Sequence, residues 1–330
     1  MGPLENIRTR HIMKQIIDPV DKELLKAELN ENNFLRDTNR AGNKIYIVDY
    51  QSAPNTVREL GRLREIAFRD GGGGTGEALD IDKFDTDPAY GYKQLVVWDP
   101  EAECIIGGYR YVLCDEAVFD YYGQPILTSS HLFKFTKKFL KRDFLHTIEL
   151  GRSFVSVDYQ STKAGTKSLY ALDNLFDGLG ALLMLHQGRM KYFFGKMSIY
   201  PSYPKEALNM LLFFLKKHFG VDEKLIIPKK PLSISGNTKK FKRIFTEDGF
   251  NEDYRILKAE IHKLGVNIPP LVNSYMNMSA SMKIFGTAVN DEFGNVLDTG
   301  LLIAFDEINP EKKRRHLHLP NLMHRFRRKD

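Results

Sequence analysis

Glu149 and Arg152 stand three residues apart within 147–157, a run of β-branched and apolar residues. Such a run reads as a buried strand, where a carboxylate and a guanidinium each need a partner or a task. Side chains alternate faces along a strand, so the two point to opposite sides of the sheet unless a bulge intervenes. One of the two can then face a reaction centre while the other ties the sheet to a neighbouring acidic segment. A structural ion-pair network is the competing reading. Arg110 lies inside a second strand-like run, 104–113, and needs acidic neighbours for the same reason. Asp80, Asp82, Asp85 and Glu149 are the candidates. The aspartate trio lacks the oxygen count and fixed glycine of a calcium loop, and reads as a surface acidic turn or a paired substrate-binding cluster.

The elements that must position these residues are mostly legible. Residues 92–99 and 104–113 read as an antiparallel hairpin across Asp99-Pro-Glu-Ala. Before it, Asn55 is placed to cap a helix with Val57, Leu60, Leu63, Ile66 and Ala67 at helical spacing. That helix runs into Gly71-Gly-Gly-Gly-Thr-Gly76. The glycine run follows a helix and lacks a Lys-Ser/Thr ending, so it is expected to be a flexible active-site loop rather than a nucleotide site. Residues 130–142 read as an amphipathic helix whose cationic side carries Lys134, Lys137, Lys138, Lys141 and Arg142. A long helix with Leu169, Leu172, Leu175, Leu179 and Leu182 follows the central strand. A strand over 192–199, helices near 204–218 and 252–264, a short helix from Pro269-Pro270 and strands over 281–288 and 297–305 complete the pattern. Residues 1–43 read as a helical preface with a polar break from Asn30.

The composition, 42% hydrophobic and 27% charged over 330 residues, is ample for a full core. No run approaches the roughly 18 apolar residues of a spanning helix, and the N-terminus has no signal-peptide core. Cys104 and Cys114 lack metal-ligand spacing and read as reduced core thiols, so a cytoplasmic protein without a metal is expected. The net charge of +6 belongs to the C-terminus, where 312–329 hold 8 of the 48 basic residues and no acid. A solvated tail is the default reading. Interleaved Leu317, Leu319, Leu322, Met323 and Phe326 favour an anionic membrane surface over nucleic acid, for which no recognition motif is present.

Arg64-Glu-Ile-Ala-Phe68, Asp80-Ile-Asp-Lys-Phe-Asp85, Gly108-Tyr-Arg110 and Glu149-Leu-Gly-Arg152 occur in an order that resembles the acyl-homoserine-lactone synthases. The chain resembles still more the related glycine-lipid and ornithine-lipid N-acyltransferases, sometimes called hemolysin-like. Phe194-Gly-Lys-Met-Ser and Pro269-Pro-Leu-Val-Asn-Ser-Tyr-Met276 extend that likeness, which spans roughly 44–306. The resemblance implies an α/β (α+β) GNAT-type fold: a mixed, largely antiparallel central sheet flanked by helices. It carries an N-terminal extension over 1–43, a helical insertion around 220–270, and a basic amphipathic tail over 307–330.

The resemblance also implies the chemistry. A long-chain fatty acyl group, plain or 3-hydroxylated, would pass from acyl carrier protein to the α-amine of an amino acid. Glycine is favoured over ornithine by the long preface and the glycine loop. Glu149 is the expected base, with Arg152, Arg110, Asp82 and Asp85 in the catalytic network. Arg64, Phe68, Asp80, Phe154 and Val155 are expected to bind substrate, with amides near Phe154–Ser156 serving the oxyanion. The family of CoA-dependent GNAT enzymes places glycines before the long helix; here Lys163 stands where one belongs and only Gly165 fits. Gln160, Lys163 and Gly165, with Lys167 nearby, are therefore expected to hold the single phosphodiester of phosphopantetheine rather than a pyrophosphate. No tightly bound cofactor is expected. Lys134, Lys137, Lys138, Lys141 and Arg142 are the expected dock for the acidic carrier protein. A lactone synthase, a CoA-dependent amine acetyltransferase and a non-catalytic lytic membrane protein are the rival readings.

Overall fold

A computed structural model describes residues 13–160, 165–232, 238–246 and 249–317. The chain enters through α1 (Lys22–Glu28), β1 (Phe34–Asp37), β2 (Lys44–Val48), α2 (Pro54–Asp70) and the single turn α3 (Lys83–Thr86). The hairpin β3 (Lys93–Asp99) and β4 (Cys104–Leu113) follows, then β5 (Phe133–Phe135), α4 (Lys137–Arg142) and β6 (Thr147–Val155). Helix α5 (Thr166–Leu185) crosses to β7 (Tyr192–Ile199), which leads to α6 (Lys205–Phe219) and β8 (Ile226–Pro228). Last come α7 (Thr238–Ile244), α8 (Phe250–Lys263), α9 (Pro270–Met276), β9 (Lys283–Asn290), β10 (Val296–Ala304) and α10 (Pro310–Leu317).

Eight strands form one sheet in the order β1-β2-β3-β4-β6-β7-β10-β9. Every neighbouring pair is antiparallel except β6 and β7, which run parallel through three residue pairs only, Thr147–Tyr192 to Glu149–Phe194. This is the mixed, largely antiparallel sheet expected. Strand alternation then sorts the core. Leu95, Val97, Tyr109 and Tyr111 pack beneath Leu175, Leu179 and Leu182 of α5, with α6, α8 and α9 on the same side. Tyr46, Val96 and Trp98 point the other way and meet Val57, Leu60 and Phe68 of α2. A second apolar patch around Val112, Phe135, Phe139 and Phe194 lies on the α2 side.

Four local expectations are corrected. Asn55 does not cap α2; the helix starts at Pro54, and Glu28 at the end of α1 accepts the Asn55 and Thr56 amides at 3.0 and 2.6 Å. The cap therefore comes from a residue far away in sequence. Residues 130–142 are not one helix, because Phe133 and Phe135 pair with Pro228 and Ile226 across the ladder to β8. Thr136 then caps the short α4. The polar break after Asn30 contains β1, an edge strand on β2. The glycine run is a fixed turn: buried Glu65 accepts from Thr75 N, Thr75 Oγ1 and Gly76 N at 2.8–3.0 Å. Added Cβ atoms at Gly71 and Gly73 would stand 2.7 and 2.8 Å from the Tyr200 ring, so the turn needs its glycines for closeness.

Residues 310–317 are helical and docked on α5, where Arg315 pairs with Asp173 and His316 Nδ1 lies 2.8 Å from Asp177. Among the described residues no helix is long and apolar enough to cross a membrane. Cys114 is buried and Cys104 half-buried, both as free thiols, and burial raises both thiol pKa values.

Candidate active site

Beyond Glu149 the two parallel strands diverge, and a cavity of about 450 Å³ opens in the gap. Leu150 to Val155 form one wall; Lys196 and Ser198 of β7 form the opposite one. The cavity also touches Phe68 of α2 and Leu172 and Leu175 of α5, so it passes through the sheet from face to face. One strand irregularity shapes it. Gly108 pairs with Phe154 whereas Arg110 pairs with Gly151, leaving an extra residue on β6, and Arg152 takes φ +50°. A non-glycine residue there is uncommon and costs of order 1 kcal/mol. The bulge brings Arg152 to the face where Glu149 already lies. Gly107 and Gly108 permit the close approach: a Cβ would meet Phe154 O at 2.4 Å or Leu95 O at 2.6 Å.

The three arginines and three aspartates form one lattice, buried at Arg64, Asp80, Asp85 and Arg110 and half-buried at Asp82 and Arg152. Arg64 Nη1 donates to Asp85 Oδ1 at 3.0 Å and its Nη2 bonds Gln94. Arg110 Nη1 donates to Asp85 at 2.6 Å and to Asp82 at 2.7 Å, and its Nη2 reaches the other Asp82 oxygen at 3.1 Å. Arg152 Nε lies 3.0 and 2.7 Å from the two oxygens of Asp80, with Nη2 at 3.6 Å from Asp82. Burial alone would raise the Asp85 pKa, but Arg110 and Arg64 overcome it and hold the carboxyl well below its usual range. Likewise burial would lower Arg110, yet Asp85 and Asp82 raise it. Arg64 and the aspartates do not line the cavity; Arg110 touches it but is almost wholly buried. Arg152 is the guanidinium that faces inward. Its guanidinium carbon lies over the Phe293 ring, 4.8 Å from the centroid, and its Nη1 has no hydrogen bond among the described residues.

Glu149 is buried on the floor behind this opening. Its carboxylate receives the Tyr92 hydroxyl, the Ser129 amide at 3.0 Å and Thr128 Oγ1 at 3.2 and 3.3 Å. Burial and the Glu149 charge drive the Tyr92 pKa well above its ordinary value, so Tyr92 stays a donor. Glu149 does not itself line the cavity, whereas Thr128 does.

Facing Arg152 is a cluster that sequence reasoning missed. Lys196 Nζ pairs with Asp298 Oδ2 at 3.0 Å, Ser198 Oγ donates to Oδ1 at 2.6 Å, and Asn290 Nδ2 donates to Oδ2 at 2.8 Å. Burial raises the Asp298 pKa, but Lys196, Ser198 and Asn290 together take it below the usual range. The signal available was period two: Lys196 and Ser198 share one face of a strand, and Asp298 falls opposite Ser198 in the neighbouring one.

A family model described as an acetyltransferase (GNAT) domain matches residues 63–171, which hold the lattice, the bulge and Glu149. The glycine N(alpha)-acyltransferase of Phocaeicola vulgatus is 56% identical over 307 residues, covering 92% of this chain and 93% of that protein. The chain belongs to the glycine N(alpha)-acyltransferase family. A second relative of that name, from Bacteroides thetaiotaomicron, is 56% identical over 305 residues, 92% of this chain and 90% of its own. No solved structure matches. The protein is thus an acyltransferase with a GNAT fold, acting on an amino-acid nitrogen.

In this member of the glycine N(alpha)-acyltransferase family the remaining expected residues scatter. Phe68, Phe154, Val155 and Gln160 line the cavity, and Phe68 packs edge-on against Phe293 at 5.0 Å. The Ser156 amide is unavailable to an oxyanion, since it donates to Ile106 O at 2.7 Å. Gly165 takes φ +62° immediately before α5, and Lys163 lies outside the described residues. Lys167 is corrected from a phosphate ligand to a structural cation: its Nζ bonds both Asp99 oxygens at 2.8–2.9 Å and Glu101 at 2.7 Å. Of the basic patch, Lys138 and Arg142 both pair with Glu223, while Lys134, Lys137 and Lys141 are exposed. Among the described residues no acidic or His/Cys cluster is arranged to hold a metal ion.

Proposed function

We propose that the protein transfers a long-chain fatty acyl group from acyl carrier protein to the α-amine of glycine, opening an aminolipid pathway. One observation carries the choice of acceptor. Three cations line the cavity, Arg110, Arg152 and Lys196, and the only carboxylate among its described lining residues is Asp298, already bonded to three partners. Glycine needs a carboxylate grip and nothing more. Ornithine brings a second ammonium, which would be buried there beside cations with no free anion. The names of the two relatives point the same way.

The remaining assignments follow from this pose. The glycine carboxylate bridges Arg152 and Lys196, which leaves the amine toward Thr128 and Glu149. The acyl chain lies against Leu150, Leu172, Leu175 and Leu271, and the phosphopantetheine arm enters along Gln160, toward Gly165 at the start of α5. Exposed Lys134, Lys137 and Lys141 steer the acidic carrier protein. The test is direct. Purified protein is given a long-chain acyl carrier protein or the matching acyl-CoA, with glycine or ornithine, and products are read by mass spectrometry. N-acylglycine is expected, formed faster from the carrier protein; N-acylornithine at an equal kcat/KM would overturn the acceptor assignment.

A further inference from the structure

Glu149 is placed where a base belongs and yet cannot touch a substrate. It is about 1% exposed and absent from the cavity wall. Thr128 stands between: it lines the cavity, its Oγ1 lies 3.3 and 3.2 Å from the two Glu149 oxygens, and the same oxygen is 3.6 Å from where a Cβ on the cavity-lining Gly151 would stand. We propose that Thr128 is a catalytic residue, a hydroxyl relay that carries the acceptor's proton to Glu149. This deepens the acyl-transfer reading and rests on it.

The surroundings are built for that role. The Thr128 backbone is pinned from both sides: its amide donates to Tyr92 Oη at 2.9 Å and its carbonyl meets His131 Nδ1 at 2.7 Å. Tyr92 and the Ser129 amide hold the carboxylate, each spending its hydrogen on Glu149, so neither offers a path to the cavity. The Thr128 hydroxyl is different. It donates inward to Glu149, and among the described residues no group donates to its oxygen, whose lone pairs are left to accept a proton.

The proton inventory closes. The glycine ammonium gives one proton to Thr128 Oγ1 as the hydroxyl hydrogen passes to Glu149, and the freed lone pair forms the N–C bond. The nitrogen then carries one proton more than an amide. That proton goes to sulfur as the C–S bond breaks and the phosphopantetheine thiol leaves. The proton on Glu149 returns through Thr128 to solvent once the N-acylglycine has departed.

The test uses the full-length protein with glycine and acyl carrier thioester. Thr128→Val keeps the shape and removes the hydroxyl; kcat is expected to fall about 10²–10³-fold while KM for glycine stays within about two-fold. Thr128→Ser is expected to restore kcat to within about tenfold of wild type, since the hydroxyl is back. Combining Thr128→Val with Glu149→Gln is expected to cost no more than Glu149→Gln alone, because both cut one chain. Thr128→Ala serves the same comparison if the valine variant melts early. A soluble Thr128→Val with wild-type kcat, or multiplying losses in the double variant, would overturn the relay. Wild-type enzyme that acylates a different amine with the same Thr128 dependence would instead overturn the glycine assignment and leave the relay standing.

Discussion

At the scale of single residues, the three arginines, one from a helix and two from strands, divide into two kinds of work. Arg64 and Arg110 are buried, with their terminal nitrogens committed to Asp85, Asp82 and Gln94. Arg152 is held at Nε by Asp80 with its guanidinium carbon over Phe293, two contacts that position its open edge for a ligand. Arg152→Lys should therefore raise KM for glycine about 10–100-fold, the cost of a charge-assisted hydrogen bond, with a smaller effect on melting. Arg110→Met should do the reverse and destabilise by about 3–5 kcal/mol through uncompensated carboxylates. Steady-state kinetics and thermal melts on the two variants separate the roles; a shared phenotype would erase the division. The need of Arg110 for the Asp80–Asp85 cluster was legible in the sequence; the division of roles was not. Both side chains sit in apolar strands, and the β6 bulge leaves Arg152 the more open of the two.

At the scale of elements, the lattice ties α2, the α3 turn, β4 and the β6 bulge together through charges that must stay ionised. Asp85 and Asp298 both have carboxyl pKa values held below the unfolded range, by Arg110 and Arg64 in one case and by Lys196 in the other. The sign follows: below the ordinary carboxylate value of about 3.9 the unfolded chain binds more protons than the folded one, so stability rises with pH through that window. The contribution is complete above it and drains away as the pH falls. Melting temperature should drop steeply between about pH 4 and pH 2, and Asp85→Asn should flatten that slope while lowering the plateau. An unchanged slope would remove Asp85 from the account. Glu65 and Glu28 belong to this scale as well. Each lies inside a helical pattern that a sequence reads as solvated surface, and each instead ties down another segment's amides.

At the scale of the whole molecule, the basic C-terminus is not one object. Its first part is α10, pinned to α5 by Arg315–Asp173 and His316–Asp177, while Asn39 of the preface donates to Arg315 O at 2.7 Å. The preface, the crossover helix and α10 therefore brace one another. Removing 318–330 should leave activity on soluble substrates intact and weaken binding to anionic vesicles in a sedimentation assay; vesicle binding equal to full length would end the membrane proposal for those residues. We propose that the membrane contact expected for the basic tail is carried by 318–330, since α10 spends part of its charge on the fold.

Much was determined by the sequence alone. The hairpin, the long helix, the paired late strands and the ordered Arg/Asp/Glu motifs were readable because period, turn residues and spacing are local properties. The motif order also pointed to the family. What waited for the tertiary structure was every fact that depends on two distant segments meeting. The β6 bulge put Arg152 on the same face as Glu149; the β5–β8 ladder broke a helical pattern at Phe133; Lys196 and Asp298 met across β7 and β10. Thr128, in a stretch with no periodic signal, came to rest between the cavity and the buried carboxylate. The reason is physical: a charge in an apolar strand announces that it needs a partner, but which partner it finds is set by long-range register and burial.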